Sequence, residues 1–543
     1  MDVAPAAPLW DYLIVTASND AQGRIYDHQL KRRREAGLLQ EARQVLVLAD
    51  PGGKRIGSGG STLCCLARVI QAERSRGGPP REPEEILGPL RILIVHAGGD
   101  SKRLPAYGPC GKIFVPLPGG SGSPLGWTLF DRAVSILRQL PPPENGKGQT
   151  VVVSGDALLL FDPRLFRPAE AGVTALGNLA DMQAASRHGV YCTDDRGRLR
   201  LYLQKPSPEE QRRYGAVGPQ GKTVMDLGLM SFDAATAALW LEVFEFAARP
   251  DGSFLWSDAM GEVIGRCGLD IYREICCAMG METDQAFYLR AVRSSGSHWE
   301  EDLLLPLFRR LQQVPMQVLP APECRFLHFG TSRQLQESGL RLLEHDGQPV
   351  PVGSVFLLNS RVKENGKVTG TDSWVEGCRI AAPLTLGGRN LLVGADVDHP
   401  LRLPPEFCLD VLAGNSRRGE AVHFIRCYGL RDSFKETVAQ GTLYCGRPLA
   451  DWLAAMEVEP AEIGPEGVAP DKLTLWEARI FPAEIHPDDF SRWLWMAAPE
   501  TASREQKKMW RDADRYSASE IALFADQEKF HERRVALRQG RTS

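Results

Sequence analysis

The stretch that decides the fold is Val95-His-Ala-Gly-Gly-Asp-Ser-Lys-Arg-Leu-Pro105. Residues 91–96, which are apolar at positions 92–95, indicate a strand that runs into Gly98 and Gly99. Glycines after a parallel strand let backbone N–H groups approach a phosphate or a base closely. Arg103 can hold phosphate oxygens in a bidentate fork. The order of strand, glycines and arginine predicts a phosphate-binding turn, although a plain strand-to-loop turn has the same pattern.

Other segments near this turn alternate between strand and helix patterns. Residues 12–17, 44–48 and 151–154 are short apolar runs typical of strands, whereas residues 22–36 and 62–74 have the composition of helices. Strands that alternate with helices favour a mostly parallel sheet covered by helices. We therefore predict an α/β fold for this part of the chain.

The pattern changes near residue 340, where three similar short segments appear at residues 354–362, 373–380 and 390–397. They repeat with about the length of one coil of a parallel β-helix, and small residues fall at the equivalent corners. These corner residues are Asn359, Gly377 and Gly394. We predict a short parallel β-helix, and a few strands of a sandwich are the alternative.

Beyond about residue 444 the chain returns to helical patterns, at residues 449–456, 487–495 and 517–538. The sequence therefore predicts three successive parts. They are an α/β domain over residues 1–340, a β-helix over residues 341–440 and a helical region over residues 441–543.

The composition excludes some classes of protein. The chain has 543 residues and a formal net charge of −4, which argues against general nucleic-acid binding because that function favours a basic face. Its twelve cysteines include no Cys-x-x-Cys pair, which favours buried thiols in a reducing compartment. Residues 1–10 lack a basic leader region, and no long apolar run is present. We expect a cytoplasmic protein without a membrane segment.

Three further features could take part in chemistry with phosphates. Lys112 follows Gly111 and could offset charge that develops on phosphates. Asp156 follows the strand at residues 151–154, where a carboxylate could hold Mg²⁺, and a helix N-cap is the alternative role. A second glycine-rich loop lies between a strand and a helix and could cradle a nucleotide or form a tight turn alone. Its candidate residues are Gly57, Gly59, Gly60 and Ser61.

Together these motifs resemble the sugar-nucleotide pyrophosphorylases. The resemblance rests on residues 96–105, 111–112, 154–156, 188–191, 204–207 and 226–228. It is closer to the fucose-1-phosphate guanylyltransferase (GDP-L-fucose pyrophosphorylase) family, including the N-terminal half of bifunctional fucokinase/GDP-fucose pyrophosphorylases. The segments that carry this closer resemblance are residues 10–12, 56–62, 96–99, 329–332 and 478–482. No kinase-type glycine- and serine-rich loop is visible in the sequence.

The resemblance implies a GT-A-like, Rossmann-related nucleotidyltransferase domain followed by a β-helix. It also implies roles for individual residues. Gly98, Gly99 and Arg103 would line a triphosphate, Lys112 would contact the reacting phosphates and Asp156 would bind the metal. The residues implied on the sugar-phosphate side are His188, Lys205, Asp226, Gly228 and His328.

One position departs from the pattern of related pyrophosphorylases. These often carry Trp-x-Asp-x-Gly-Thr before the β-helix, and here His328 stands in the place of the aspartate. Imidazole is a poor ligand for Mg²⁺, which prefers oxygen. The second metal ligand is therefore open. Asp258 is a candidate from the resemblance, and a helix N-cap is an equal alternative.

The implied reaction joins GTP to L-fucose 1-phosphate and releases pyrophosphate, with Mg²⁺ as the cofactor and Mn²⁺ as the alternative. The choice of base and of sugar rests on the resemblance alone. Another sugar 1-phosphate or nucleoside triphosphate is one alternative, and a non-catalytic sugar-nucleotide sensor or scaffold is another. The sequence leaves open whether the protein is a monomer or a homo-oligomer.

Overall fold

A computed structural model describes residues 9–77, 79, 81–99, 101–120, 125–143, 146–249, 253–321 and 323–540. The expectation that the chain starts without a leader falls mainly on residues 1–8, which lie outside the described residues. None of the helices in the described part of the chain combines the length and apolar character that a membrane crossing requires.

The chain forms two compact units. The first comprises Met1–Gly99 and Ala133–Phe326, and the second comprises Asp100–Arg132 and Leu327–Ser543. The predicted three-part division follows chain order, whereas the contacts group Asp100–Arg132 with the later part of the chain. The two divisions differ because residues 100–132 contact residues that come much later in the sequence.

The described residues of the first unit form twelve strands. They are β1 (Trp10–Ala17), β2 (Ala42–Ala49), β3 (Arg91–His96), β4 (Gln149–Ser154), β5 (Ala157–Leu160), β6 (Val173–Asp181), β7 (Gly189–Thr193), β8 (Leu199–Gln204), β9 (Lys222–Phe232), β10 (Phe246–Ala248), β11 (Phe254–Trp256) and β12 (Met316–Pro320). A further strand, β13 (Arg325–His328), crosses the boundary between the units.

The helices of this part of the chain cover the sheet and connect its strands. They are α1 (Asp20–Glu35), α2 (Gly57–Arg74), α3 (Pro83–Leu87), α4 (Leu129–Leu137), α5 (Met182–Ala185), α6 (Pro208–Arg213), α7 (Ala234–Val243), α8 (Asp258–Cys267), α9 (Gln285–Ser294) and α10 (Glu301–Leu311). The α4 helix begins in the second unit and ends in the first.

The main sheet of the first unit is mixed. Its strand order is β12-β6-β9-β4-β3-β1-β2, with β7 beside β9 and β8 beside β7. The β1 to β4 strands are parallel, whereas β9 lies antiparallel between β4 and β6. The α/β prediction is confirmed, and the four predicted strands are β1 to β4. Their buried apolar side chains pack against α2 and α7, where Leu63, Leu66 and Trp240 are fully buried.

The strands of the second unit form three parallel ladders followed by an antiparallel extension. In the first ladder, Val355 pairs with Ser373, Trp374 with Leu391, and Leu391 with Cys408. The second ladder pairs Arg361 with Arg379, and the third pairs Lys367 with Pro383. The strands are β14 (Val355–Leu358), β15 (Arg361–Val362), β16 (Lys367–Thr369), β17 (Ser373–Glu376), β18 (Arg379–Ile380), β19 (Pro383–Leu386), β20 (Leu391–Val393), β21 (Asp396–Val397), β22 (Leu401–Leu403), β23 (Phe407–Asn415), β24 (Ala421–Gly429), β25 (Leu443–Tyr444), β26 (Arg447–Pro448), β27 (Phe481–Glu484) and β28 (Arg515–Tyr516).

The predicted corner residues lie where one short strand of the repeat turns into the next. Asn359, Gly377 and Gly394 have φ values of 45°, 64° and 73°, which place them in the left-handed region. A Cβ on Gly394 would lie 2.3 Å from the carbonyl oxygen of Val411, so this corner requires glycine. The repeat that the sequence predicted is therefore present as stacked parallel strands.

The later helices of the second unit differ in part from the predicted ones. They are α11 (Ser332–His345), α12 (Leu449–Met456), α13 (Arg504–Asp512), α14 (Ala518–Phe524) and α15 (Gln527–Arg538). The single helix predicted over residues 517–538 is interrupted because Asp526 donates its N–H to Ala413 of β23 and caps α15. Short one-turn helices connect the longer elements. They are Pro51–Gly53, Pro105–Tyr107, Lys112–Phe114, Pro163–Leu165, Ile271–Ile275, Cys276–Ala278, Val352–Ser354, Val438–Gln440, Pro460–Glu462, Pro470–Lys472 and Pro499–Thr501.

The helix predicted over residues 487–495 is a 3₁₀-helix over Pro487–Ala497. Its buried residues are Phe490, Trp493 and Met496, which recur at every third position. A 3₁₀-helix has three residues per turn, so these three side chains share one face. Burial of that face accounts for the tighter helix.

Candidate active site

The carboxyl ends of β1, β3 and β4 meet at one edge of the first unit's sheet, because Val95 of β3 pairs with both Val15 and Val153. Just beyond β3, Gly99 has a φ of 136° and donates its N–H to Ser18 Oγ at 2.5 Å. Gly98 precedes it, and a Cβ there would make ordinary contact with Ser18. The predicted glycine turn therefore lies at the edge of the sheet where α/β proteins bind ligands.

Asp156 lies at the same edge, after β4. Its Oδ1 accepts a hydrogen bond of 2.9 Å from Ser154 Oγ. Gly155 donates its N–H to the carbonyl oxygen of His96 at 2.8 Å, which ties the turn after β4 to the end of β3. The predicted metal ligand is thus brought beside the glycine turn.

Asp226 is a buried carboxylate on β9. It is 7% exposed, and burial raises its pKa above the usual value. Gly228 N–H donates to Oδ1 at 2.7 Å, and the hydroxyl of Tyr202 donates to Oδ2 at 2.8 Å. Gly228 has a φ of 71°, and a Cβ there would lie 3.3 Å from Ser154 Cβ and 3.5 Å from Tyr272 Oη. The contact with Ser154 brings Gly228, and with it Asp226, close to the end of β4, two residues before Asp156.

Gly189 allows Tyr202 to reach Asp226. A Cβ on Gly189 would lie 1.9 Å from Tyr202 Oη, so any larger residue would displace the hydroxyl. The neighbouring His188 packs its ring edge against Phe326, with the ring centroids 5.4 Å apart. The motif at residues 188–191 therefore supports the Asp226 side chain.

Asp270 is a residue of this site that the sequence did not indicate. It caps the turn Ile271–Ile275, with Oδ1 accepting from the N–H groups of Tyr272 and Arg273 at 2.9 and 3.0 Å. Burial, followed by the charges of Asp226, Asp270 and Asp156, raises the pKa of Tyr272. The negative charges of these three carboxylates therefore act on the same tyrosine. The only sequence signal for Asp270 is an aspartate before a helical turn, which is too common to identify a site.

His96 is held as a neutral imidazole at the end of β3. Its Nε2 lies 3.0 Å from Thr62 Oγ1, and that hydroxyl donates its one hydrogen to the carbonyl oxygen of Ser58 at 2.9 Å. Thr62 therefore accepts from Nε2–H. Burial lowers the pKa of His96 to about 4, against a smaller opposing effect of Asp270. The ring stays uncharged near neutral pH.

The second glycine-rich segment is the first turn of α2 and not the predicted loop. A Cβ on Gly57 would lie 2.3 Å from the carbonyl oxygen of Leu269. Gly59 and Gly60 donate their N–H groups to that oxygen at 2.8 and 3.2 Å, and Ser61 Oγ donates to Asp50 at 2.6 Å. Close packing on Leu269 is thus a structural reason for these glycines. Their nucleotide-binding role stays a prediction.

Lys205 and Asp258 occupy exposed positions of the first unit. Lys205 follows β8 with a φ of 50° and donates its N–H to His188 O at 3.0 Å. A left-handed non-glycine residue is uncommon and occurs often at functional sites. Asp258 is the first residue of α8, and its 93% exposed side chain pairs with Arg249 Nη2 at 2.6 Å. Their roles at the sugar phosphate and at the metal stay predictions.

In the second unit, buried contacts fix the loop that carries Arg103 and Lys112. The carbonyl oxygen of Arg103 accepts from Ser332 N–H at 3.0 Å. The carbonyl oxygen of Pro105 accepts from Arg426 Nη2 at 2.8 Å. Lys112 begins the turn Lys112–Phe114. The backbone on either side of the predicted phosphate-binding residues is therefore anchored.

A buried ion pair reaches the same loop from α15. Arg534 donates to both oxygens of Glu376, at 2.7 and 3.0 Å. Its Nη1 lies 4.0 Å from Cys110 Sγ, and its guanidinium stacks over the ring of Tyr107 at 5.6 Å. Tyr107 Oη also accepts from Trp374 Nε1 at 2.9 Å. The segment just before Lys112 is thus packed around a buried cation.

His328 ends β13, and an amide holds its ring. Nδ1 lies 2.7 Å from Gln334 Oε1, which also accepts from Thr331 Oγ1 at 2.9 Å. An amide oxygen accepts hydrogen bonds, so Nδ1 carries the proton and the lone pair of the neutral ring lies on Nε2. This arrangement suits a contact with a hydroxyl or a protonated phosphate oxygen.

The first unit could bind a metal ion if the phosphates of a substrate supplied some of the ligands. In the part of the chain that the structure describes, no group of three or more His, Cys, Asp or Glu side chains is arranged to hold an ion. Mg²⁺ at nucleotide sites is usually bound by one or two carboxylates together with phosphates and water. Asp156, at the edge of the sheet, could supply one such carboxylate.

Sequence comparison shows which known proteins this chain is similar to. The sequence model of the fucose pyrophosphorylase domain matches residues 84–485. The bifunctional fucokinase/GDP-fucose pyrophosphorylase of Arabidopsis thaliana is 26% identical over 95% of this chain and 51% of its own length. The L-fucokinase/L-fucose-1-P guanylyltransferase of Bacteroides fragilis is 25% identical over 91% of this chain and 48% of its own length. This chain therefore spans about half the length of these two relatives.

A shorter relative is covered more completely. The fucose-1-phosphate guanylyltransferase of Homo sapiens is 25% identical over 87% of this chain and 81% of its own length. The matched segment of residues 84–485 includes the glycine turn, Arg103, Lys112 and Asp156, and it excludes the glycines at the start of α2.

Proposed function

This chain belongs to the fucose pyrophosphorylase family, and we propose that it joins GTP to L-fucose 1-phosphate to form GDP-L-fucose and pyrophosphate. The observation that carries the proposal is the family match over residues 84–485, which contains the anchored loop and the carboxylate edge together. The names of the relatives from mouse and human support the same reaction.

The proposed reaction is an in-line attack of the sugar phosphate oxygen on the α-phosphorus of GTP. A phosphate monoester is already an anion near neutral pH, so the protein needs no general base for this step. Its contribution is to orient the two substrates and to stabilise the charge that develops on the phosphates. Arg103 and Lys112 supply positive charge on a backbone that Ser332 and Arg426 hold in place.

Asp156 would hold Mg²⁺, with Mn²⁺ as the alternative, and the ion would neutralise charge on the bound phosphates. Asp226 has both oxygens engaged by protein donors, so we assign it to shaping the sugar side through Tyr202 and Gly228. Lys205, with its exposed side chain and left-handed backbone, would reach the sugar phosphate.

We also propose a fold for each unit and a cellular location for the protein. The sheet order of the first unit, with one antiparallel strand between parallel ones, supports a GT-A-like nucleotidyltransferase domain. The three parallel ladders of the second unit support a short β-helix. Twelve unpaired cysteines support a cytoplasmic location.

The test is pyrophosphate release from purified protein with each of GTP, ATP, UTP and CTP, combined with fucose, mannose and glucose 1-phosphates. We expect release above background with GTP and L-fucose 1-phosphate, and at least about tenfold less kcat/KM for the other pairs. A different preferred pair would assign the same chemistry to another substrate. No release with any pair, together with tight binding of GDP-L-fucose, would favour a sensor.

A further inference from the structure

Tyr272 places an accessible hydroxyl group at the carboxylate edge of the first unit. The residue is partly exposed, and among the described residues none forms a hydrogen bond with its hydroxyl. Two neighbouring tyrosines differ in this respect. The Tyr202 hydroxyl donates to Asp226 at 2.8 Å, and the Tyr191 hydroxyl is enclosed within the protein. Tyr272 is therefore the tyrosine of this cluster whose hydroxyl is left for a ligand.

The position of this hydroxyl is fixed through the backbone and the ring. Tyr272 donates its N–H to Asp270 Oδ1 at 2.9 Å, and its ring stacks on that of Tyr202 with the centroids 6.4 Å apart. In the same turn, Cys276 donates its N–H to the carbonyl oxygen of Ile271, five residues earlier. This is the hydrogen bond of a π-helix, a rare turn that occurs frequently at functional sites. The tyrosine is thus held in place before any ligand binds.

The hydroxyl lies beside the residues to which we assign the sugar and the metal. A Cβ on Gly228 would stand 3.5 Å from Tyr272 Oη and 3.3 Å from Ser154 Cβ. The Ser154 hydroxyl in turn donates to Asp156 at 2.9 Å. Because Gly228 has no side chain, nothing from this position covers the Tyr272 hydroxyl. The hydroxyl is therefore next to the proposed position of the sugar.

The charges around the hydroxyl favour a neutral partner. Partial burial, followed by neighbouring negative charges of which that of Asp226 is the largest, raises the pKa of Tyr272 well above its ordinary value. The hydroxyl therefore keeps its proton near neutral pH and donates it in a hydrogen bond. The same negative charges disfavour a phosphate at this point. A ring hydroxyl of a sugar is neutral and accepts hydrogen bonds, so it fits this position.

We propose that the Tyr272 hydroxyl donates a hydrogen bond to a ring hydroxyl of the sugar 1-phosphate, and that Tyr272 thereby helps to select the sugar. This inference rests on the proposed function and adds a specificity-determining residue to it. A site that forms a hydrogen bond with a substrate hydroxyl discriminates against analogues that lack this hydroxyl. Removal of the tyrosine hydroxyl should therefore affect the sugar and leave the nucleotide unaffected.

The test uses Tyr272→Phe, which keeps the ring and removes the hydroxyl. The matched control is Tyr214→Phe, at a partly exposed tyrosine of the first unit whose ring packs on Phe287. Both variants should melt at the temperature of the parent chain. Isothermal titration calorimetry on the full chain compares the binding of GDP-L-fucose with that of GDP.

We expect Tyr272→Phe to weaken GDP-L-fucose binding about 3- to 10-fold, the effect of one neutral hydrogen bond, and to leave GDP binding unchanged. Tyr214→Phe should change neither affinity. An equal loss of affinity for both ligands would place the hydroxyl on the nucleotide part and overturn the proposal. Unchanged binding of both ligands by Tyr272→Phe would overturn it as well.

Pyrophosphate release then identifies the sugar hydroxyl. The kcat/KM values are measured with GTP and either L-fucose 1-phosphate or its 2-, 3- and 4-deoxy analogues. We expect the effect of Tyr272→Phe to vanish for one analogue, because that analogue already lacks the acceptor of the hydrogen bond. The same loss with all three analogues would overturn the proposal.

Failure of the proposed function gives a different result. If the parent chain binds GDP-L-fucose without releasing pyrophosphate, the transfer reaction is wrong, and the binding comparison still decides the role of Tyr272. If the parent chain does not bind GDP-L-fucose at all, both the proposed function and the role of Tyr272 are overturned.

Discussion

Lys112 is the side chain on which the proposed transfer depends most directly. Its charge would offset the charge that grows on the phosphates during transfer, and the loop before it is packed around buried groups. We expect Lys112→Ala to lower kcat at least about 10²-fold in pyrophosphate release, with an unchanged melting temperature. Lys367→Ala, an exposed lysine of β16, is the control. Near-normal turnover in the Lys112 variant would remove this residue from the reacting centre.

Asp156 is the carboxylate that we propose as a ligand of Mg²⁺. We expect Asp156→Asn to raise the Mg²⁺ concentration for half-maximal activity by about tenfold or more, because the amide lacks the negative charge. Asp162→Asn, which alters a surface pair with Arg164, should not change the Mg²⁺ titration. Asp258→Asn measured in the same way decides whether the second predicted ligand contributes. An unchanged titration for Asp156→Asn would contradict the assignment.

Gly189 is a position where one methyl group should disturb the site from a distance. In Gly189→Ala the new Cβ would lie 1.9 Å from Tyr202 Oη, so the tyrosine must leave Asp226. We expect about 1–3 kcal/mol lower free energy of unfolding and at least about tenfold lower kcat/KM, measured by urea unfolding and pyrophosphate release.

The matched control for Gly189→Ala is Gly265→Ala in α8, where a Cβ meets nothing within 4 Å. Alanine is the better helix former, so this variant should be up to about 1 kcal/mol more stable with unchanged activity. If Gly189→Ala were as stable and active as Gly265→Ala, Tyr202 would not be needed on Asp226.

The α15 helix depends on a buried ion pair. Arg534 is 7% exposed and Glu376 is 0% exposed, so removal of one partner leaves the other charge buried. We expect Arg534→Met to lower the free energy of unfolding by about 3–5 kcal/mol and to reduce turnover through the loop before Lys112. Arg534→Met/Glu376→Leu should recover most of the stability, because neither charge remains.

A surface pair provides the comparison for Arg534. Arg431 is 53% exposed and pairs with Glu406 at 3.2 Å, and Arg431→Met should cost less than about 1 kcal/mol. Chemical unfolding followed by tryptophan fluorescence measures all three variants. Equal effects of Arg534→Met and Arg431→Met would mean that the buried pair does not stabilise α15.

Some helices and strands could be predicted from the local sequence pattern, and others could not. The strands β1 to β4 were predictable because each is a short apolar run flanked by turn residues. The α12 helix was predictable as well, and it begins at Leu449 and ends at Met456, as the helical pattern of the sequence does. The 3₁₀-helix Pro487–Ala497 and the interruption before α15 could not be predicted, because both depend on the residues against which these segments pack. The sequence predicted a loop at Gly57, whereas the structure has the first turn of α2 there. This turn packs against Leu269, which is distant in the sequence.

The cysteines provide a prediction for the whole molecule. All twelve are unpaired, nine are buried, and Cys64, Cys267 and Cys445 are partly exposed. Burial raises the pKa of most of these thiols, including that of Cys64 to about 12, and a thiol reacts through its thiolate. We expect a thiol reagent to label at most about three cysteines quickly in the native protein and all twelve after denaturation, without prior reduction. Fewer than twelve in the denatured protein would indicate a disulfide.

The sequence by itself determined the α/β class, the family and the principal candidates, because these depend on short motifs in which the informative residues are neighbours. Gly98, Gly99, Arg103, Lys112 and Asp156 could all be named in this way. Only the tertiary structure decided that the charges of Asp156, Asp226 and Asp270 act on Tyr272, that Gly189 makes room for Tyr202, and that Arg534 supports the loop before Lys112. These relations join residues far apart in the chain, and their physical cause is burial and close contact, which no local pattern of residues records.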